Sequence, residues 1–160
     1  MKSKIALIKN IQDNRYDETG MHVCTHNGTM KIKADFNVAG LDEIPNLESY
    51  DHIFIDEMHF FPDVVNRIKQ LLVQTTARIY ITGLNGTCPD ENGIVHQFEC
   101  LASLSPYATE TKIIPAVCME CSSDALFTVT TPFGKEQHKR GIFVGGFSMY
   151  QSRCAQCMHK

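Results

Sequence analysis

The chain has 160 residues, of which 43% are hydrophobic and 21% charged, so it can form a packed core and is not globally disordered. Fifteen Lys and Arg against 18 Asp and Glu give a net charge of -3, which excludes a generally basic nucleic-acid coat. No apolar run approaches the roughly 18–20 residues of a membrane helix, and the N-terminal apolar stretch is too short for a signal peptide. We therefore expect a soluble, cytoplasmic protein whose partners include neither nucleic acid nor a membrane.

The first two thirds of the sequence alternate predicted strands and helices. Short apolar runs predict strands at 4–8, 51–56, 77–82 and 112–117. An apolar stripe that starts at a proline predicts a helix over 62–74, and a shorter helix is expected over 94–105. Residues 12–28 are polar and are expected to form a long loop. Strand, helix and strand in this order predict an α/β fold with a parallel sheet and right-handed crossovers.

The last quarter of the sequence has a different pattern, which predicts a small β module. Residues 125–130 and 141–144 are expected to be the two arms of a β-hairpin, with a Pro-Phe-Gly turn after the first arm and a solvated tip at 135–140. We place a domain boundary at residue 117, between an α/β domain over 1–117 and a β module over 118–160.

Seven cysteines are many for a reducing compartment, where clustered cysteines indicate metal binding or catalysis. Four of them form two Cys-x-x-Cys pairs, Cys118/Cys121 and Cys154/Cys157. Each pair can direct two sulfurs at one point, and two pairs supply the four thiolates of a tetrahedral Zn²⁺ site. Four protein ligands leave no position for a reacting water, so the zinc is expected to be structural rather than catalytic. The alternatives are unrelated buried cysteines or a redox pair.

An apolar predicted strand ends in two adjacent carboxylates, Asp56 and Glu57. In phosphoryl-transfer folds such a strand carries the acid that holds Mg²⁺, and a neighbouring acid can take a proton from the attacking hydroxyl. The alternative is a strand that simply runs into a solvated loop. Phe60 and Phe61 follow, and they either belong to the core or form a platform on which a base stacks.

Segments along nearly the whole chain resemble the thymidine kinase family of animals, bacteria and poxviruses. Phe-Ile-Asp-Glu-Met-His-Phe-Phe-Pro-Asp at 54–63 is similar to the acidic signature of that family. The other segments, in chain order, are Ile-Lys-Asn-Ile-Gln-Asp-Asn-Arg-Tyr (8–16), Cys-Thr-His (24–26), Gly-Leu-Asn-Gly-Thr (83–87), Ala-Val-Cys-Met-Glu-Cys (116–121), Val-Gly-Gly (144–146), Tyr150 and Cys-Ala-Gln-Cys (154–157). The resemblance implies a P-loop-kinase-like (RecA-like) parallel sheet, followed by a zinc-ribbon β module that forms a lid, or lasso, over a nucleoside.

The family transfers the γ-phosphate of ATP to the 5′-hydroxyl of thymidine or deoxyuridine with Mg²⁺, in the nucleotide salvage that supplies DNA synthesis. By position, the resemblance implies that Glu57 is the general base, that Asp56 holds the Mg²⁺ and that Phe60 stacks on the base. The remaining residues that it implies in the nucleoside pocket are Leu84, Thr128, Phe143, Gly145 and Tyr150. It also implies ATP and a deoxynucleoside as partners, and a homo-oligomer that is commonly a tetramer.

The phosphate-binding loop of the family, which ends in Gly-Lys-Ser/Thr, has no counterpart in this sequence. We expect the chain to be truncated before the second strand of the family fold. Asn85 and Cys88 are further departures from the family pattern. An alternative function is therefore a catalytically inactive, zinc-stabilised module that binds nucleosides or a protein partner. Asp13 and Arg15 are expected either to approach the phosphates or to form a loop ion pair.

Overall fold

A computed structural model describes residues 2–15, 19–25, 29–140 and 144–158. The chain divides into two compact units, Met1–Leu84 and Asn85–Lys160. The predicted boundary at residue 117 lies within the second unit and stays a prediction about domain organisation. In the described part of the chain, no helix has the length and apolar character needed to span a membrane.

The helices and strands of each unit are as follows. The described residues of the first unit form β1 (Ile5–Asn10), β2 (His22–Cys24), β3 (Lys31–Lys33), β4 (Phe36–Val38), β5 (His52–Ile55), α1 (Val64–Gln74) and β6 (Arg78–Ile81). Those of the second unit form α2 (Glu99–Leu104), β7 (Ala116–Val117), β8 (Asp124–Ala125), β9 (Phe127–Thr130), α3 (Pro132–Lys139) and β10 (Tyr150–Arg153). Short 3₁₀ turns lie at Leu41–Glu43, Leu47–Ser49, Met58–Phe60 and Ser105–Tyr107.

A four-stranded parallel sheet organises the first unit, in the order β4-β1-β5-β6. Ile8 of β1 is in register with Ile55 of β5, which in turn is in register with Ile81 of β6. The carboxyl ends of these three strands therefore lie side by side at one edge of the sheet. The α/β fold with a parallel sheet, predicted from the order of the elements, is confirmed for this unit.

The core of the first unit is formed by alternate residues of the sheet together with α1 and the 3₁₀ turns. Its buried apolar side chains include Ala6, Ile8, Leu41, Leu47, Ile53, Ile55, Val64, Ile68 and Leu71. Helix α1 begins two residues later than predicted, with Asp63 as its N-cap residue. The Asp63 carboxylate accepts a hydrogen bond from the backbone N–H of Asp42 (2.8 Å) instead of capping its own helix. Of the predicted stripe, Val64, Ile68 and Leu71 are buried, whereas Val65 is partly buried and Leu72 is 44% exposed.

Two antiparallel ribbons organise the second unit. β7 pairs with β8, and β9 pairs with β10 so that Thr130 lies opposite Tyr150. The pairing partner of β9 in the described residues is β10. Of the arm predicted at 141–144, Val144 is not in a strand, and 141–143 lie outside the described residues. The predicted tip at 135–140 is instead occupied by α3. Thr131 caps this helix by accepting a hydrogen bond from the N–H of Gly134 (3.0 Å), and Pro132 occupies its first turn.

Three other sequence predictions need correction. The strand predicted at 112–117 is reduced to β7, and Ile113 and Ile114 are exposed, so this segment does not join the parallel sheet. The helix predicted at 94–105 is reduced to α2. The loop predicted at 12–28 contains β2, which pairs with β3. These elements are too short for periodicity to reveal them.

Candidate functional site

The acid pair lies where β5 ends, between its two neighbouring strands. The N–H of Asp56 donates to the carbonyl of Ile8 (3.0 Å), and the N–H of Met58 donates to the carbonyl of Thr82 (2.8 Å). These two hydrogen bonds attach the turn that contains Glu57 to β1 on one side and to the end of β6 on the other. Ligands of open α/β sheets bind at the carboxyl ends of the strands, so the pair stands at the edge where chemistry is expected.

Glu57 has a left-handed backbone conformation, with φ of +51° and ψ of +55°. A side chain with a Cβ is strained in this region by roughly 1 kcal/mol. Glu57 directly precedes the 3₁₀ turn Met58–Phe60. The N–H groups of Phe60 and Phe61 donate to the carbonyls of Glu57 and Met58, respectively. The turn therefore directs the Glu57 carboxylate away from the strand direction and into the cluster formed by the loop after β1.

Four side chains form a chain of alternating charge that ends at Glu57. The Nζ of Lys9 donates to Oδ2 of Asp13 (3.1 Å), and the Nε of Arg15 donates to Oδ1 of the same carboxylate (2.6 Å). The Nη2 of Arg15 donates to Oε1 of Glu57 (2.5 Å). The Lys9 and Asp13 side chains are only 5% and 9% exposed, so little water screens these contacts. We call Lys9, Asp13, Arg15 and Glu57 the charge chain.

The charge chain changes the titration of its members. Burial alone would raise the pKa of Asp13, but the hydrogen bonds and charges of Arg15 and Lys9 outweigh it and lower that pKa. Burial alone would lower the pKa of Arg15, but the carboxylates of Asp13 and Glu57 outweigh it and raise that pKa. Arg15 is therefore a permanent cation that holds one oxygen of Glu57 and leaves Oε2 available.

Asp56 has a different environment from its neighbour. Its Oδ1 accepts a hydrogen bond from the hydroxyl of Thr82 (2.7 Å), and it forms no ion pair within the described residues. Burial, together with the nearby charge of Glu57, raises the pKa of Asp56 despite the Thr82 hydrogen bond. A partly buried carboxylate that a second carboxylate repels is stabilised by a cation, and Mg²⁺ prefers oxygen ligands of this kind. Asp56 therefore fits a magnesium ligand.

His59 and Phe60 lie beside the acid pair. The Nδ1 of His59 is 3.5 Å from Oε2 of Glu57, and burial lowers the pKa of His59 so that the ring is neutral at pH 7. The Phe60 ring packs on His59 with centroids 4.4 Å apart. Asn10, which is fully buried, donates to the carbonyl of Phe60 (3.1 Å) and so ties the end of β1 to this turn.

The acid pair and the charge chain lie at a cavity of about 270 Å³ in the first unit. Its lining consists of the charge chain, Asp56, and Val23 and Cys24 of β2. Among the ionisable groups of the lining, the two cations Lys9 and Arg15 face three carboxylates. The lining has an excess of negative charge, which suits a divalent cation.

The four cysteines of the two Cys-x-x-Cys pairs converge in the second unit. Their sulfur atoms all lie within 4.8 Å of one another, and Cys121 Sγ is 3.6 Å from Cys154 Sγ. Four thiolates around one Zn²⁺ are separated by about 3.8 Å, given Zn–S distances of about 2.3 Å. None of the four forms a disulfide. The sequence prediction of one four-cysteine cluster is confirmed, and its spacing fits zinc.

Backbone geometry prepares these thiols for a metal ion. Burial would raise the pKa of Cys118, but backbone N–H groups of Cys154, Glu120 and Cys121 lower it to about 6. Burial, with the neighbouring Cys154 and Cys121, raises the pKa of Cys157 to about 12. Four thiolates at this separation would repel one another, so the metal-free cluster keeps Cys157 protonated, and a bound dication would take the place of such protons. A zinc ion would therefore be held by Cys118, Cys121, Cys154 and Cys157.

The other predicted site residues have the following positions. Leu84 is 41% exposed at the end of the first unit. In the second unit, Thr128 lies in β9, Tyr150 begins β10, and Gly145 precedes it in the connecting segment. Phe143 lies outside the described residues. The structure thus brings Asp56, Glu57 and Phe60 together in one unit and Thr128, Gly145 and Tyr150 into one region of the other.

A sequence model described as "Thymidine kinase" matches residues 1–158 of the chain. The chain belongs to the thymidine kinase family. The thymidine kinase of sheeppox virus (strain KS-1) is 29% identical over 154 residues, which cover 96% of this chain and 79% of that protein. The thymidine kinase of Amsacta moorei entomopoxvirus is 27% identical over 161 residues, covering 96% and 81%. That of African swine fever virus (isolate Pig/Kenya/KEN-50/1950) is 26% identical over 164 residues, covering 100% and 80%.

The resemblance to the thymidine kinase family that the sequence motifs indicated is confirmed. It assigns the chain to a family of kinases, and it covers both the acid pair and the four cysteines. Sequence reasoning missed Lys9, Asn10 and Thr82, which lie in or directly after strands. A signal existed for Lys9 only: a cation within an otherwise apolar strand needs a buried partner. Asp13 and Arg15 do form the ion pair expected for them, and their approach to phosphates stays a prediction.

Proposed function

We propose that the chain acts as a thymidine kinase, which transfers the γ-phosphate of ATP to the 5′-hydroxyl of thymidine or deoxyuridine. The reaction would supply DNA synthesis through pyrimidine salvage in the cytoplasm. The observation that supports this most strongly is the family match over residues 1–158, which includes the acid pair at the carboxyl end of β5. The pair supports this reaction class, since phosphoryl transfer requires a held cation and an oriented hydroxyl.

The proposed fold is that of a P-loop kinase, in which 1–117 form the α/β kinase domain and 118–160 the zinc-bound lasso. The parallel sheet and the acidic edge of β5 support this assignment. The 160 residues contain no Gly-Lys-Ser/Thr sequence that could cradle the phosphates of ATP. Within these 160 residues, the proposed phosphate contacts are Lys9 and Arg15, which line the cavity together with Asp56.

Glu57 is the proposed general base. Its Oε1 is held by Arg15 at 2.5 Å, so the carboxylate cannot rotate freely and Oε2 faces the remaining space. The Nδ1 of His59 lies 3.5 Å from Oε2, and burial lowers the pKa of His59, so the ring places no positive charge beside the carboxylate at pH 7. The carboxylate would accept the proton of the nucleoside 5′-hydroxyl as that oxygen attacks phosphorus.

Asp56 is the proposed magnesium ligand, and its raised pKa reports the unfavourable negative charge that a cation would relieve. Bound Mg²⁺ would neutralise charge on the transferring phosphate. The Thr82 hydrogen bond at 2.7 Å fixes Oδ1 and so orients the whole carboxylate before the ion arrives. Thr82 thereby acts as a positioning residue of the acid pair.

The proposed nucleoside contacts are Phe60 and Leu84 in the first unit, and Thr128, Phe143, Gly145 and Tyr150 in the second. Structural zinc would hold the two ends of the segment between Cys121 and Cys154, on which the latter four residues lie. A zinc-fixed base lets such a segment close over a substrate without unfolding. A homo-oligomer, with a tetramer as the family norm, completes the proposal.

A phosphate-transfer assay with ATP, Mg²⁺ and thymidine tests the proposed function. We expect turnover by the purified chain and a loss of kcat of roughly 100-fold or more in Glu57→Gln, because general base catalysis contributes about 10²–10⁴-fold. Thymidine KM should change little, since the substitution keeps the shape of the side chain. The matched control is Glu48→Gln, an acid that lies 3.7 Å from Arg67 and is absent from the cavity lining.

The absence of a Gly-Lys-Ser/Thr sequence supports one alternative, a zinc-stabilised nucleoside-binding or interaction module without catalysis. Isothermal titration of the same protein with thymidine separates the two functions. Saturable thymidine binding without transfer of labelled phosphate at any enzyme concentration would establish the module and reject the kinase. Turnover that Glu57→Gln abolishes would reject the module.

A further inference from the structure

Helix α3 is attached at its beginning to the segment that carries Gly145 and Tyr150. The N–H of Thr131 donates to the carbonyl of Met149 (2.8 Å), and its hydroxyl donates to the carbonyl of Ser148 (2.6 Å). The same hydroxyl accepts from the N–H of Gly134. One side chain thus caps the helix and holds the neighbouring segment.

Two glycines permit unusually close packing at this attachment. A Cβ at Gly134 would collide with the carbonyl oxygen of Met149 and would lie 2.7 Å from Cγ2 of Thr130. A Cβ at Gly145 would collide with the Met149 side chain, which is 4% exposed. Met149 is therefore enclosed between Gly134 of α3 and Gly145.

The last turn of α3 makes a second attachment. The Nε2 of His138 is 2.7 Å from the hydroxyl oxygen of Tyr150, and the two rings are 5.6 Å apart with an interplanar angle of 48°. His138 and Tyr150 are both partly buried. A short hydrogen bond between two partly buried rings restrains both of them. Tyr150 is thereby held at its backbone by β9 and at its hydroxyl by α3.

We propose that His138 is a positioning residue for nucleoside binding, which fixes the Tyr150 ring through its hydroxyl and makes α3 part of the specificity apparatus. This inference rests on the proposed function, because it takes Tyr150 as a nucleoside contact. His138 does not touch the nucleoside itself. Its removal takes the His138 restraint away from the Tyr150 hydroxyl, and the nucleoside must then contribute more to ordering that ring upon binding.

The expected effect falls on binding rather than on chemistry. A ring that is ordered before the nucleoside arrives costs less to order at binding, so wild-type affinity is higher. Loss of one hydrogen bond of this kind corresponds to roughly 5–10-fold weaker thymidine binding. The acid pair and Arg15 lie in the other unit and are unaltered, so kcat at saturating thymidine should change less than twofold, which separates positioning from catalysis.

The experiment measures thymidine Kd by titration calorimetry, together with kcat and KM, for four variants of the zinc-loaded chain. His138→Ala and Tyr150→Phe each remove one partner, and the double variant removes both. His138→Gln keeps a donor and acceptor near the position of Nε2 and should restore most of the affinity. The matched control is His96→Ala, which removes an exposed histidine whose partner is Asp90 at 3.1 Å. The zinc content of every variant is measured to show that the fold of the second unit is intact.

The inference predicts weaker binding in His138→Ala, rescue in His138→Gln, and no further loss in the double variant beyond that of Tyr150→Phe. Wild-type affinity in His138→Ala would overturn it while leaving the proposed function intact. Additive losses in the double variant would also overturn it, because the two residues would then act independently. Absence of thymidine binding by the wild-type chain would reject the proposed function and this inference together. If His138→Ala loses zinc, the test uses the two conservative variants instead. The inference then requires weaker thymidine binding in Tyr150→Phe and near-wild-type binding in His138→Gln.

Discussion

At the scale of single residues, Arg15 connects two carboxylates, Asp13 and Glu57, that serve different purposes. Its Nε donates to Asp13 at 2.6 Å and its Nη2 to Glu57 at 2.5 Å, so the same guanidinium is anchored on one side and holds the base on the other. Asp13 is anchored in turn by Lys9 at 3.1 Å. A planar guanidinium with fixed donor directions suits this bridging better than an ammonium group. The orientation of Glu57 therefore depends on Asp13, which does not touch it.

The first residue-scale prediction concerns Asp13→Asn. The variant leaves Lys9 and Arg15 without their shared carboxylate, and it should lower the free energy of unfolding at pH 7 by roughly 3 kcal/mol. The folded-state pKa of Asp13 lies below its ordinary value of 3.8, so its stabilisation is present above that pH and is lost as the pH falls through the lowered pKa. The difference between wild type and variant should therefore shrink below about pH 4.

Urea unfolding at several pH values measures this difference. Asp42→Asn is the matched control, because Asp42 is 70% exposed and only 3.8 Å from Arg67; it should change stability by less than about 0.5 kcal/mol. A constant wild-type-minus-variant difference from pH 7 to pH 3 would contradict the assignment of a charged, buried Asp13.

Helix α3 shows at the scale of single elements why some structure was predictable and some was not. Strands β1 and β5 and helix α1 were found because each has an apolar pattern along the element that is buried against one core. The start signal of α3, Thr131 followed by Pro132, was present, but the polar sequence after it has no apolar stripe and resembles a solvated tip. What orders α3 is Gly134 against the Met149 carbonyl, a contact fifteen positions away that no local pattern encodes.

Gly134→Ala tests that packing. In an ordinary helix interior this substitution stabilises by about 1 kcal/mol, because alanine restricts the unfolded chain and favours the helix. Here the added Cβ would collide with the Met149 carbonyl, so we expect a loss of about 1–3 kcal/mol and a lower Tm. Lys135→Ala, one residue further along α3 and exposed, should stay within about 0.5 kcal/mol of wild type in the same thermal melts. A stabilised Gly134→Ala would show that α3 does not pack as described.

The two candidate centres differ, at the scale of the whole molecule, in how much of each was readable in the sequence. The ligands of the zinc centre form pairs with two residues between the cysteines, and the two acids are adjacent. Local motifs therefore revealed both centres. Thr82 meets Asp56 only because β5 and β6 have a particular register. Register depends on the packed sheet as a whole, and a single sequence does not display it.

Metal removal is the whole-molecule prediction. The purified chain should contain one zinc per molecule, and a strong chelator should remove it with loss of the ordered structure around β7–β10, because four close sulfurs repel one another without the ion. Metal analysis and circular dichroism before and after chelation measure this. Cys121→Ser should lower the zinc content well below one, whereas Cys100→Ser, outside the cluster in α2, should retain it. A metal-free chain with an unchanged spectrum and unchanged melting would remove zinc from the structural account.

The left-handed backbone of Glu57 has a consequence for how this sequence can drift over generations. Its φ of +51° is a conformation that glycine or asparagine adopts more comfortably than glutamate. Substituting either residue there would relieve the backbone strain, but it would also leave Arg15 without its ion pair to Glu57. Retention of glutamate across descendants of such a chain would consequently be a record of continuing selection on the carboxylate itself rather than on the backbone of the turn.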